Sequence, residues 1–202
     1  MGEPNLLQST TATARALIEQ YMVPGAAAVD ATCGNGHDAA ALVRMGAGMV
    51  YAFDVQERAL GRTRALFARE GLPLRRLHLI HDGHEHMCRH IEEAVRVVVF
   101  NLGYLPGGDH DIITRPETTT AAVRAACSLL ETGGLICVTI YSGHAGGCAE
   151  RDALLEMSAG LDAGSWHVLR LLAHNQTGTA PQLLLLTRKR GGREPLDRRE
   201  RT

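Results

Sequence analysis

From Ala27 to Thr187, short apolar runs alternate with stretches of helical spacing, and most of the runs end in an acid or a glycine-rich turn. The runs are Ala27–Asp30, Met49–Phe53, Leu77–Ile80, Val95–Phe100, Leu135–Tyr141, Trp166–Ala173 and Gln182–Thr187. Between the first six, the spacing predicts helices over Ala39–Met45, Glu57–Glu70, Glu85–Glu93, Thr118–Leu130 and Ala149–Gly160, with a further helix ahead of them over residues 6–22. Strands joined through helices run parallel, so the pattern demands an α/β sheet with helices on both faces. Val95–Phe100 has almost no polar break, as a central strand covered on both sides requires. The last connection, NQTGTAP, is too short for a crossover, so the final two strands pair as a hairpin. The chain is 202 residues long, which is one domain with a core of its own.

Aromatic residues make up 4% of the chain, which argues against an RNA-binding sheet of stacked rings. The net charge of −1 argues against a non-specific polycationic coat. Residues 187–202 hold seven basic and three acidic side chains, so the body is acidic and the tail basic. One domain over residues 1–189 and a disordered basic tail over 190–202 are expected. The five cysteines form no CxxC pair and read as reduced thiols. No apolar run reaches membrane-spanning length, and a cytoplasmic protein with no membrane partner is expected. The sequence does not fix the oligomeric state; a homodimer is left open.

Five motifs carry chemistry. Asp30-Ala-Thr-Cys33-Gly34-Asn35-Gly36-His-Asp38 joins the first strand to a helix. Its glycines let backbone approach a ligand beneath a helix N-terminus. A dinucleotide site wants G-x-G-x-x-G. Two glycines preceded by an acid suit a cation better than a pyrophosphate, and S-adenosylmethionine carries a sulfonium and an ammonium. Asp54, in Tyr51-Ala-Phe-Asp54-Val-Gln56, ends the second strand where an acid can accept two ribose hydroxyls; the alternative is a helix cap. Asp82, in His81-Asp82-Gly83-His84, can accept from an adenine amino group or cap the next turn. Asn101, in Asn101-Leu-Gly103-Tyr104-Leu-Pro106, ends the fourth strand beside the reacting methyl. Its Asn-x-x-Tyr spacing is a partial match to the Asn/Asp-Pro-Pro-Tyr motif of amino-group methyltransferases. His144, in Tyr141-Ser-Gly-His144, can take a proton near neutral pH or simply face water. The histidines at 81, 84, 86 and 90 lack the Cys partners of a structural zinc site, so no metal is expected. Arg58, Arg62 and Arg69 share a helix face, read as solvated, with RNA contact as the alternative.

In this order, DATCGNGHD, YAFDVQ, HDGHE, FNLGYLPGGD, TRPETT and IYSGHAGG resemble the small class I methyltransferases of the rRNA methylase, or YtqB-like, family over roughly residues 5–189. The resemblance implies a Rossmann-like seven-stranded sheet, mostly parallel with a C-terminal antiparallel hairpin. It implies S-adenosyl-L-methionine as donor and the 5-aminomethyl group of 2-thiouridine in a tRNA anticodon loop, at the wobble uridine, as acceptor. It assigns the donor site to Asp30, Cys33, Gly34, Asn35, Gly36, Asp54, Gln56, Asp82, His84, Asn101 and Gly103. Asn101, Tyr104 and His144 then serve catalysis, with the Asn175-Gln176 turn beside them. Ser142 stands where the family has a His, and Arg115 where it has a Lys. An enzyme acting on rRNA or a small amine, an NAD-dependent oxidoreductase and a non-catalytic module are the rival readings.

Overall fold

The computed structural model describes residues 7, 9–103, 114–143, 146–176 and 178–190. Helix α1 (Thr10–Tyr21) starts later than the apolar spacing suggests, because the Ser9 side chain accepts from the Ala12 amide and caps it there. Then follow β1 (Ala27–Asp30), α2 (His37–Arg44), β2 (Met49–Phe53), α3 (Glu57–Arg69) and β3 (Leu77–Ile80). A 3-10 turn over His84–Arg89 replaces the expected α-helix at 85–93. The second half comprises β4 (Val95–Asn101), α4 (Pro116–Leu129), β5 (Leu130–Ile140), α5 (Gly147–Ala159), β6 (Trp166–Leu171) and β7 (Gln182–Arg188).

The seven strands lie in the order β3-β2-β1-β4-β5-β7-β6. The first five are parallel, and β7 is antiparallel to both β5 and β6. Strand order therefore reverses between β1 and β4, the place where open α/β sheets put their ligands. The fold class read from the sequence holds, including the terminal hairpin.

Alternation along the central strands feeds two cores. Val95, Val98 and Phe100 of β4 join Ile136 and Val138 of β5 and Leu184 of β7 beneath α4 and α5. Val97 and Val99, with Leu135, Cys137 and Leu185, pack under α1, α2 and α3. The largest side chains of these cores, among them Phe53, Phe67, Phe100 and Ile140, are less than 2% exposed. Each such side chain contributes about 1.5–3 kcal/mol through burial.

Strand β5 begins at Leu130, five residues before the sequence suggests. Gly133-Gly134 reads as a helix stop, but it forms a bulge: pairing jumps from Val95–Leu130 to Val97–Leu135. Gly133 has φ +77°, and a Cβ on Gly134 would lie 2.7 Å from the Arg96 carbonyl oxygen. Arg96 bridges the bulge, donating to the Tyr21 carbonyl oxygen and to Glu131 Oε1.

Candidate active site

A cavity of about 980 Å³ opens at the carboxyl ends of β1 and β4. The turn after β1 forms its floor. Gly34 and Gly36 take left-handed conformations, at φ +52° and +82°. A Cβ on Gly36 would lie within 2.9 Å of the Thr63 backbone on α3, so this corner admits only glycine. Cys33 lines the cavity, but its Sγ lies 3.6 Å from Thr63 Oγ1, and burial pushes its thiol far above the ordinary range. It is a packing group and not a nucleophile.

Asp30 departs from the expectation. It is fully buried and is not among the cavity-lining residues. Its Oδ2 accepts the Ala39 amide at 2.9 Å and its Oδ1 the Thr32 amide at 3.3 Å. It caps α2 and shapes the glycine turn from behind. Burial, with Asp38 and Asp54 adding repulsion, holds its carboxyl well above the usual range. The acid facing the cavity is Asp38, on the first turn of α2. Burial raises its pKa also, while Arg15 and Asn101 pull the other way. Asp38 stood inside the DATCGNGHD motif; sequence alone gave no sign of which acid faces inward.

Asp54 accepts the Gly34 amide on Oδ2 at 3.0 Å and the Gln56 amide on Oδ1 at 2.9 Å. Each oxygen keeps a lone pair for a ligand. Gln56 lines the wall beside it. Asn35 also lines the cavity, accepting from Arg62 Nη1 at 3.2 Å, and Arg58 donates to Gln56 Oε1 at 3.1 Å. Arg58, Arg62 and Arg69 are all exposed, as a solvated face is, and two of them also bond to residues at the cavity rim.

Asp82 also lines the cavity. His86 Nδ1 and His90 Nε2 each sit 2.8 Å from one of its oxygens and hold its carboxyl far below the usual range. Two of the four histidines converge on this carboxylate, while His81 Nε2 lies 3.0 Å from the Val55 carbonyl oxygen. Among the described residues no group of three or more His, Cys, Asp or Glu side chains could hold a metal ion. His84 is buried, with Nδ1 3.1 Å from the Ala31 carbonyl oxygen and its ring edge-on to Phe100. Burial lowers its pKa, so the ring is neutral at pH 7.

Asn101 sits where β4 ends. Its amide nitrogen donates to Asp38 Oδ2, and its backbone N–H donates to Thr32 Oγ1 at 2.7 Å. A carboxylate only accepts, so the side-chain NH₂ faces Asp38, which leaves the amide oxygen of this cavity-lining residue free of that bond. Gly103 follows on the same wall. Tyr104 and His144 lie outside the described residues. The Asn175-Gln176 turn is exposed and off the cavity, where Thr179 contributes instead. Sequence reasoning also missed Arg15 and Arg115, both at the wall.

These residues fit a cationic, ribose-bearing ligand. Asp38, Asp54, Asp82 and Glu85 supply four carboxylates around one cavity. A pyrophosphate is a poor match, because Asp30 already occupies the N-terminus of α2 that would bind it.

Residues 50–187 match the family described as "Putative rRNA methylase". The chain belongs to this family. The methylase is 35% identical over 196 residues to the chloroplastic tRNA (mnm(5)s(2)U34)-methyltransferase of Arabidopsis thaliana, with 90% of this chain and 70% of the plant protein covered. It superposes with a TM-score of 0.85 on the crystal structure of a "putative rRNA-methylase" from Clostridium thermocellum, at 39% identity, covering 93% of this chain and 100% of that one. A "putative methyltransferase" from Streptococcus mutans, solved in complex with SAH, gives 0.82 at 34% identity, covering 89% and 98%. By family and fold this is a class I methyltransferase. Among the described residues, no helix of the methylase is long and apolar enough to cross a membrane.

Proposed function

We propose that this enzyme transfers a methyl group from S-adenosylmethionine to the 5-aminomethyl group of 2-thiouridine at the wobble position of tRNA. The plant relative is named for this modification, and the streptococcal relative was solved with SAH. The observation that carries the reading is the fixed amide of Asn101. Its nitrogen is committed to Asp38, which leaves an oxygen acceptor free of that bond at the switch between β1 and β4. An amine must lose its proton before it attacks carbon. Two N–H bonds of a neutral amine can be aimed by acceptors, and this leaves its lone pair directed at the methyl group.

The donor supplies an activated methyl group on a sulfonium. The chain has only to bind, align and exclude water. In the proposed site Asp54 takes the ribose hydroxyls and Asp82 the adenine amino group. Cys33, Gly34, Asn35, Gly36, Gln56, His84 and Gly103 shape the walls. Asp38 and Asn101 meet the cationic end, and Asp30 supports them from within. Tyr104 and His144 complete the acceptor side, with His144 passing on the proton. The partner is the anticodon loop, and the reading is for a cytoplasmic enzyme.

Purified enzyme, S-adenosylmethionine and tRNA carrying 5-aminomethyl-2-thiouridine test this by mass analysis of the digested nucleosides. The expected product is 5-methylaminomethyl-2-thiouridine. Persistence of the unmethylated nucleoside, with methyl groups appearing in rRNA or a small amine, replaces the tRNA reading by its rival.

A further inference from the structure

Glu150 is a charged side chain that the site described above does not use. It lies in the first turn of α5 and is 1% exposed. A carboxylate buried this deeply is costly unless its lone pairs are met. Two threonine hydroxyls meet them: Thr119 Oγ1 donates to Oε1 at 2.5 Å and Thr114 Oγ1 donates to Oε2 at 2.9 Å. Thr119 belongs to α4 and is itself fully buried.

Thr114 does more. Its hydroxyl oxygen accepts the Gly103 amide at 2.9 Å, while its own amide donates to the Gly103 carbonyl oxygen at 3.1 Å. Gly103 and Thr114 both line the cavity. Gly103 stands at φ +131°, a conformation costly for any residue with a side chain. A serial chain of bonds thus runs from α5 through Glu150 and Thr114 to Gly103, two residues beyond Asn101. The first turn of α5 also follows directly on the loop after β5. One buried carboxylate on α5 therefore reaches, through Thr114, the backbone that continues from β4.

We infer that Glu150 is a positioning residue for methyl transfer: through Thr114 it sets the backbone at Gly103, two residues beyond Asn101, and so aligns the amine without touching it. This inference rests on the proposed function for its kinetic consequence, but its structural half does not depend on the substrate. Glu150→Gln keeps the shape and replaces one acceptor oxygen by a donor. Thr114→Val removes the linking hydroxyl, and Thr119→Val removes an equally buried partner of Glu150 that does not reach Gly103.

With tRNA bearing 5-aminomethyl-2-thiouridine, Glu150→Gln and Thr114→Val lower kcat by about 10- to 100-fold, the scale of a small misalignment. Their affinity for S-adenosylmethionine, read by calorimetry, stays near that of the unmodified enzyme. Thr114→Ser, which retains the hydroxyl, recovers most of the rate. Thr119→Val loses comparable thermal stability and keeps its kcat. Equal kcat losses in the two valine variants overturn the inference, as does a Glu150→Gln loss that merely tracks melting temperature. Amide hydrogen exchange separates this from the function reading, since it needs no substrate. Exchange at Gly103 accelerates in Glu150→Gln and Thr114→Val but not in Thr119→Val. Unaltered Gly103 exchange overturns the inference even if the tRNA is methylated; accelerated exchange upholds the structural link even if it is not.

Discussion

The two halves of the site are built differently. On the β1–β2 side, the turns are short and two acids are pinned by backbone amides: Asp30 by Thr32 and Ala39, Asp54 by Gly34 and Gln56. On the β4–β5 side, the backbone beyond β4 is fastened by side chains, with Glu150 and two threonines as the fastening. Backbone pinning survives most substitutions of neighbouring side chains. Side-chain fastening can be retuned by single changes. The first half suits an invariant ligand and the second an acceptor that differs from enzyme to enzyme.

Separating the halves by mutation tests this division. The largest effect is expected for Asn101→Ala: a kcat loss of about 100-fold or more, because the aimed acceptor disappears. Donor affinity should fall far less than kcat, since Asn101 is one of several groups that meet the donor. If calorimetry instead shows donor binding lost and kcat kept, Asn101 belongs with the acids across the cavity. Asp54→Ala should give the reverse pattern. Donor Kd should rise by about 10- to 100-fold, since charged hydrogen bonds contribute about 1.5–3 kcal/mol each, with kcat near normal at saturation. An unchanged Kd would remove the ribose role.

Gly36→Ala probes the rigidity of the first half. The left-handed backbone and the collision with Thr63 together should cost about 2–4 kcal/mol in a urea titration. A loss below about 0.5 kcal/mol, the range of ordinary surface changes, would mean that the turn can yield.

The smallest effects are in pH dependence, and two buried groups have opposite signs. Asp30 has a raised pKa when folded, so the native state binds its proton more tightly. Its contribution makes stability fall as pH rises from the ordinary value of about 3.9 to the raised one. His84 has a lowered pKa when folded, so the unfolded chain takes the proton first. Its contribution makes stability fall as pH drops below about 6.5. Each slope is at most about 1.4 kcal/mol per pH unit. Asp30→Asn should steepen the net loss on acidification and His84→Gln should flatten it. The same slope in both variants and in the unmodified enzyme would show that neither group titrates on folding.

Strands were legible where both faces are buried, because Val95–Phe100 can be little else. The hairpin was legible from connection length alone. The glycine turn and the acid ending β2 announced a ligand site, since their spacing ties them to one sheet edge. What the sequence hid was direction. Asp30 and Asp38 are eight positions apart in one motif, and only the fold makes one a helix cap and the other a cavity wall. Gly133-Gly134 looked like a helix stop because a bulge and a C-cap ask for the same residue. Glu150 stood in a helix that alternates polar and apolar residues, and nothing in that pattern marks it as buried. Its burial depends on Thr114 and Thr119, brought to it by the packing of α4 on α5.

The place of β7 has a consequence for how such a chain is made. It is the last of the seven described strands to be synthesised, yet it lies between β5 and β6. Until Gln182–Arg188 has left the ribosome, β6 lacks its pairing partner and β5 presents an open backbone edge flanked by apolar side chains. A nascent chain in that condition offers a template for pairing with its neighbours. Completion of the sheet is then one late event that inserts the strand and closes the edge. A ribosome stalled before Gln182 would leave a species prone to aggregate, and a chaperone would have most to do in the interval between β6 and β7.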